Sequence, residues 1–434
     1  MRRRALTLSL ASLALLTAAC GGGGGAESTA DSADDPTKVA GDITVLTNRT
    51  DLQEDGTLEK YAAQFKEAYP NVNVKFEALT DYEGEVRIRM NTDNYGDVLL
   101  VPNAVATGDY PKFFASLGDT AELAKKYRFT SASDVNGKSY GIVSFAAASG
   151  FVYNQTAWRQ AGATDWPTSP QEFLSDLKAI KAKGDAIPLY TNYKDAWPIT
   201  QWSQVLGAVS CDAGAQAALT TGDPWAPGAD FAVGDGLLFD AVAQKLTEPD
   251  PTTTNWEESK GLLAKGKVGA MFLGSWAVPQ IQAAAEAAGL DPQTIGFMPF
   301  PNQSNGKSCS TLSPDYRYAI STHSQNKDAA RAWIDWLVDK SDFPALNEGV
   351  SPLIGSPIPP ALKPFEAAGV TLIELDQSKV NQYNDIDKAA ETGVNTPDYR
   401  QHLIDIARGA AKGDLKDALA DLSKKWKDGQ ETVG

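Results

Sequence analysis

Hydrophobic and polar positions along the chain alternate between two rhythms. Ile43 to Leu46 is a short β-branched, apolar run that predicts a strand, followed by the polar loop Asn48-Arg49-Thr50-Asp51. From Thr57 the spacing becomes helical: Tyr61, Phe65 and Ala68 share a face, and Pro70 ends the helix. Val72 to Phe76 predicts the next strand. Val98 to Val101 is continuously apolar, as in a strand covered on both faces, and it ends at Pro102-Asn103. Ser169-Pro170-Gln171-Glu172 is a capping box with Pro at the first helical position; Phe173, Leu177 and Ile180 follow at helical spacing, and Gly184 stops the helix. Gly269 to Leu273 predicts another buried strand, with Gly274-Ser275-Trp276 opening a helix. Ala329 to Val338, and the set Leu415, Leu419, Leu422 and Trp426, predict amphipathic helices. The alternation predicts α/β architecture with parallel sheets.

In such sheets ligands bind outside the carboxyl ends of the strands. The candidate loops are therefore Asn48 to Asp51, Pro102-Asn103 and Gly274 to Trp276. Each also has a structural reading: Asn and Asp after a strand serve as turn or cap residues, and Trp at a helix start serves as a core plug. Asp97 precedes its strand, at the wrong end for a cleft, and reads as a turn or cap residue.

The first residues bear on the compartment. Arg2, Arg3 and Arg4 precede a run of about fifteen small and apolar residues, Ala5 to Ala19, too short for a membrane span but suited to a signal peptide. Leu16-Thr17-Ala18-Ala19-Cys20 resembles the lipobox of bacterial lipoproteins, in which the Cys becomes the lipidated first residue. Thr17 departs from the Leu that the pattern prefers. Gly21 to Gly25 and the Ser/Ala/Asp-rich stretch to Lys38 read as a flexible tether spanning ~25 Å as a random coil. Cys211 and Cys309 remain. Outside the cytoplasm they pair most simply as a disulfide, two buried thiols being the other reading.

Charge and composition exclude several functions. The 434 residues carry 39 Lys and Arg against 55 Asp and Glu, a net charge of -16 that repels phosphate backbones and speaks against nucleic-acid binding. Two histidines, His323 and His402, lie far apart in sequence, which disfavours multi-His zinc sites and Ser–His or Cys–His catalysis. No metal site or cofactor motif is visible.

With these elements in place, the chain resembles the extracellular solute-binding proteins of bacterial carbohydrate ABC transporters, the family of maltose-binding protein. The matching segments run in order. They are Gly41 to Thr47 with its Asn-Arg-Thr-Asp loop, Ala68-Tyr69-Pro70, Tyr95 to Leu100, Ser139 to Ile142, and Val152-Tyr153-Asn154. Then come Trp166 to Phe173, Gly266 to Met271, Gly274-Ser275-Trp276, Gly296 to Pro301, and Lys327 to Ala330.

The resemblance implies a type II periplasmic-binding-protein-like fold: two α/β lobes joined by hinge strands, with the ligand in the cleft between them. The expected organisation is a signal peptide at 1–19, the lipidated Cys20 and tether at 20–39, lobe one at 40–147 and 313–370, and lobe two at 148–312 and 371–434. Crossings are expected near Ser144-Phe145-Ala146, Thr311-Leu312-Ser313 and Val370. The ligand residues it implies are Asn48, Arg49, Asp51, Asp81, Tyr82, Asn103, Phe145, Asn192, Tyr193 and Trp276, with Asp315 and Tyr316 after the second crossing. Trp197 and Trp202, beside the Asn192 stretch, read as stacking platforms or as core. Maltose-binding protein has acids where this chain has Phe145, Asn192 and Ala104, which argues against maltose itself.

The expected protein is a monomer, not an enzyme, needing no cofactor. It is tied to the outer face of the membrane by its lipid, and it delivers a sugar or oligosaccharide to a permease of two membrane subunits and an ATPase. Two other functions have different requirements. A binder of polyamines, amino acids or phosphonates would want more carboxylates or cations in the cleft. A surface glycosidase would want two carboxylates ~5–10 Å apart, and no motif marks such a pair.

Overall fold

The computed structural model describes residues 29–30, 35–102, 105–184 and 186–434. The signal peptide, Cys20 and Asn103 lie outside them.

The principal strands are β1 (Gly41–Thr47), β2 (Val72–Ala78), β3 (Val98–Leu100), β4 (Ile142–Asn154), β5 (Ile187–Leu189), β6 (Val268–Gly274), β7 (Ile295–Met298), β8 (Lys307–Ile320) and β9 (Thr371–Glu374). They join in the order β2-β1-β3-β8-β4-β6-β5, with β9 on β8 and β7 on β4. β1 runs parallel to β2 and β3, and β5 parallel to β6. β4 and β8 break the expected parallel pattern, running antiparallel to each other and to β3 and β6. The reason is topological. A parallel neighbour needs a return crossover, whereas β4 runs on without one from the core around Phe145 to the core around Phe151.

Each long strand changes partners along its length. β4 pairs with β8 from Ile142 to Ala148, and with β6 from Ser149 to Tyr153. β8 meets β9 at its start and β3 at its end. Lobe one packs Phe65, Phe76, Trp333 and Trp336 around β1 and β3, with Phe65 edge-on to Trp333 at 5.2 Å. In lobe two, Phe151, Phe173, Trp202 and Phe272 fill one face of the sheet. Met271, Ile281, Phe297 and Phe365 fill the other, with the last two rings stacked at 5.2 Å. Leu362 and Phe365, which a boundary at Val370 gives to lobe one, thus pack with lobe-two residues.

The capping box forms as one half of a pair. Ser169 Oγ accepts from the Glu172 amide at 3.2 Å, while Glu172 reaches back to the amide of Thr168, at 2.7 Å, rather than to that of Ser169. Asp97 is structural, accepting from the Thr44 amide at 2.8 Å and from Ser324 Oγ at 2.5 Å. Cys211 and Cys309 are joined by a disulfide with Cα atoms 5.4 Å apart.

The segment read as a flexible tether is docked in part. Thr29 bridges to Ser116, and the Ala30 amide donates to the Ser116 carbonyl at 2.9 Å. Arg331 Nη1 donates to the Ala30 carbonyl at 3.1 Å, leaving Ala30 buried. Composition alone missed this because the partners, Ser116 and the helical Arg331, lie far along the chain.

Candidate functional site

On the lobe-one side, β1 hands over to the loop Asn48 to Asp51. Arg49 is buried, and its Nε and Nη2 donate to both oxygens of Asp51 at 2.8 and 2.6 Å. Its Nη1 donates to Asn347 Oδ1 at 2.5 Å. Arg49 is therefore committed within the protein and is not a free cation awaiting an anion. Asn48 stays exposed, and its side chain meets the phenol of Tyr316.

Tyr316 sits within β8 at φ +45°, a left-handed conformation that L-residues avoid and that surrounding packing must hold. Asp315 Oδ1 accepts from the Tyr316 amide at 2.8 Å. Burial pushes the Asp315 carboxyl up, against the lowering effect of that bond and of Arg317 and Arg49. Phe145 pairs with Asp315 in the β4–β8 register and is 1% exposed, edge-on to Tyr316 at 5.4 Å. It supports the floor of the cleft from beneath and does not offer a ligand surface.

The Asp81-Tyr82 pair is also structural. Asp81 caps the helix Tyr82–Arg89 through the Gly84 amide at 3.2 Å. The buried Tyr82 phenol donates to the Leu100 carbonyl at 2.9 Å and accepts from the Leu100 amide at 2.7 Å. β1 pairs with β3 only at Val45↔Val98, so Leu100 extends past it and the phenol takes the place of a strand neighbour.

On the lobe-two side, the loop after β5 carries Asn192 to Trp197. Asn192 is buried at φ +55°; its Nδ2 lies 3.3 Å from Met271 Sδ, while its Oδ1 has no partner among the described residues. Tyr193 turns away to the helix Asp398–Ala407, where its phenol lies 3.1 Å from each oxygen of Asp405. Trp202 is core, 4.8 Å from Phe272.

Trp197 is 37% exposed and belongs to a cluster of three indoles. It meets Trp276 at 5.7 Å with planes at 45°, and Trp256 at 5.1 Å with planes at 80°. Trp256 and Trp276 are 5.8 Å apart at 66°. Trp256 was absent from the sequence-derived set, yet a signal for it exists. Trp197 and Trp256 each open a helix and Trp276 caps one, so all three stand where a loop meets a helix start.

Trp276 packs against both lobe one and lobe two. Its indole folds back across Gly274, where a Cβ would lie 2.4 Å from Nε1. The preceding Ser275 is fully buried. Its amide donates to the Ala148 carbonyl at 2.8 Å; its Oγ accepts from the Ala148 amide at 3.2 Å and donates to the Glu348 carbonyl at 2.8 Å.

A polar hollow of about 450 Å³ lies elsewhere, at the opposite end of the lobe-one sheet, lined by Thr44, Asp93, Asp97, His323 and Asn326. None of its lining residues belongs to the loops described above, and the Asp97 carboxylate there is already paired. Among the described residues, no group of three or more His, Cys, Asp or Glu is placed to hold a metal ion. The tryptophan faces suit a neutral ligand that has apolar C–H faces.

Comparison with known proteins agrees in fold and extent. The chain is 25% identical over 353 residues to the diacetylchitobiose binding protein DasA of Streptomyces coelicolor, covering 77% of each. It is 24% identical over 333 residues to a multiple sugar-binding protein of Streptococcus mutans, covering 71% of this chain and 76% of that one. Among solved structures it resembles BlMnBP1 of Bifidobacterium animalis subsp. lactis, in complex with mannobiose. The TM-score there is 0.84 at 29% identity, over 92% of this chain and 96% of that one. BlMnBP2 of the same organism, in complex with mannotriose, gives a TM-score of 0.84 at 28% identity over the same shares. The profile described as bacterial extracellular solute-binding protein matches residues 49–342, and the chain belongs to that family.

Proposed function

We propose that this protein captures an oligosaccharide between its lobes and delivers it to an ABC permease, acting as a binding protein and not as an enzyme. The observation that carries the reading is the Trp197, Trp256 and Trp276 cluster beside the strands that cross between the lobes. Pyranose C–H faces stack on indoles, and a partly exposed cluster of three at one edge of a cleft is otherwise costly in water. Because Arg49 is neutralised by Asp51, the reading favours an uncharged ligand over an anion. The likeness to the mannobiose and mannotriose complexes makes manno-oligosaccharides the first ligands to test; diacetylchitobiose comes next.

Closure follows from the hinge strands, since only a ligand that touches both lobes shifts the open–closed balance. The crossings near Ser144-Phe145-Ala146, Thr311-Leu312-Ser313 and Val370 remain proposed; Ala146, Val350 and Leu362 pack in one cluster beside them. Cys20 is the proposed lipid attachment, holding the protein at the outer face of the membrane. Asn48, Asp51, Asn103, Asn192, Asp315 and Tyr316 remain proposed polar contacts, while Arg49, Tyr82, Phe145 and Tyr193 take supporting roles.

A thermal-shift panel tests the class. A ligand at a hundred times its Kd adds ~2.7 kcal/mol to the native state. A shift with manno-oligosaccharides supports the reading, and a shift only with polyamines or amino acids overturns the carbohydrate assignment.

A further inference from the structure

Four consecutive residues after the short helix Phe343–Leu346 touch both walls of the cleft and the strand between them. Asn347 Oδ1 accepts from Arg49 Nη1 at 2.5 Å, on the lobe-one loop. The Glu348 carbonyl accepts from Ser275 Oγ at 2.8 Å, next to Trp276 in lobe two. Gly349 lies against Phe145 so closely that a Cβ would fall 2.4 Å from the ring. Val350 exchanges two backbone bonds with Ala146 of β4, at 2.7 and 2.8 Å.

The run is held tightly. Asn347 is 4% exposed, and its Nδ2 is spent on the Phe343 carbonyl at 2.7 Å. Glu348 adopts φ +43°, and its Oε2 accepts from the Ala361 amide at 2.8 Å. Tyr316 at φ +45° contacts the same Phe145. Left-handed Tyr316 and Gly349, the neighbour of left-handed Glu348, therefore flank the Phe145 ring. Such backbone persists only where neighbours hold it, and it relaxes when they move.

We infer that Ser275 and Asn347 are positioning residues, and that Asn347 to Val350 form a latch coupling the Trp276 platform to the Arg49–Asp51 loop. The inference rests on the binding reading above, but its geometry is independent of which sugar is bound. An unbroken chain of contacts runs from Trp276 through Ser275, the Glu348 carbonyl, Asn347 and Arg49 to Asp51. Neither Ser275 nor Asn347 is exposed to a ligand, so both act through Trp276 and Arg49. A change in the tilt of Trp276 moves Ser275, and Ser275 cannot move without straining Glu348 or breaking its bond.

The test starts with the ligand-free mature chain and amide hydrogen exchange. Ser275→Ala removes one hydroxyl in lobe two. The latch predicts at least threefold faster exchange of the Gln53 and Asp55 amides in lobe one, which bond to the Arg49 and Asp51 carbonyls. Faster exchange confined to Ala148 and residues 274–278 overturns it. With mannotriose as probe, Ser275→Ala and Asn347→Ala each weaken binding about tenfold, and together no more than the worse single change. Losses that multiply overturn the coupling. Asn347→Asp keeps the acceptor for Arg49 but loses the donor to the Phe343 carbonyl; it binds at least threefold tighter than Asn347→Ala, and binding no tighter than that variant overturns the positioning role. If the wild-type chain ignores every sugar, the binding reading fails while the exchange result still decides the latch.

Discussion

The indoles of Trp197 and Trp276 lie 5.7 Å apart with planes at 45°, although 79 positions separate them in the sequence. Trp197 comes from the loop after β5 and Trp276 from the turn after β6. These strands are parallel neighbours, so their carboxyl ends deliver both rings to one edge of the cleft. If this edge is the sugar platform, Trp276→Ala lowers affinity by at least about thirtyfold, the scale of an anchoring aromatic. Trp256→Ala lowers it as well, because it removes the ring that holds the other two. Isothermal titration of the three Trp→Ala variants measures this, and unchanged affinity in all of them removes the platform.

Stability in lobe two depends on one buried ion pair. Arg400 Nε lies 2.8 Å from Asp235 Oδ1, and neither side chain is exposed. Trp225 Nε1 and the Tyr399 phenol share the other carboxylate oxygen, at 2.9 and 3.1 Å. Asp235→Ala takes the carboxylate from all three donors and leaves a buried cation with no opposite charge, held by the Val394 carbonyl, so it costs about 3–5 kcal/mol. Denaturant unfolding reads the loss. A cost under ~1 kcal/mol contradicts the view that this carboxylate organises the core.

The disulfide between Cys211 and Cys309 fastens the loop before the helix Ala215–Ala218 to the start of β8, across a separation of 98 residues. Reduction lowers stability by about 2–4 kcal/mol. A melting temperature unchanged by reductant, once free thiols are confirmed, contradicts this.

Burial raises the Asp315 carboxyl above its ordinary value, so folding favours the protonated form. The contribution to stability is full below the unfolded value near ~4 and declines as pH rises through the higher folded value. Asp315→Asn removes that decline. The variant gains stability relative to wild type as pH rises from about 4 upward, as chemical denaturation across pH reveals. A difference independent of pH contradicts the assignment.

Local signals in the sequence carried most of the fold. β1, the helix Thr57–Ala68 and the capped helix Pro170–Lys183 are encoded within a few residues of themselves. The strand directions were not, because β4 and β8 meet only through residues far apart in sequence. The candidate site was legible as loops but less so as side chains. Tyr82 and Tyr193 have the right chemistry for a sugar, yet Leu100 and Asp405 claim their phenols from 18 and 212 positions away. Phe145 went beneath the cleft because Tyr316 and Gly349 cover it. Trp256 was missed although it shares the helix-start placement of Trp197 and Trp276.

The tryptophan cluster is the proposed seat of a neutral oligosaccharide within a closing cleft. Its most direct test is titration of the mature chain with mannotriose, following heat and tryptophan fluorescence together. Saturable heat and a fluorescence change with the same midpoint are expected, both lost in Trp276→Ala. Saturable heat that leaves tryptophan fluorescence unmoved and survives Trp276→Ala would contradict it.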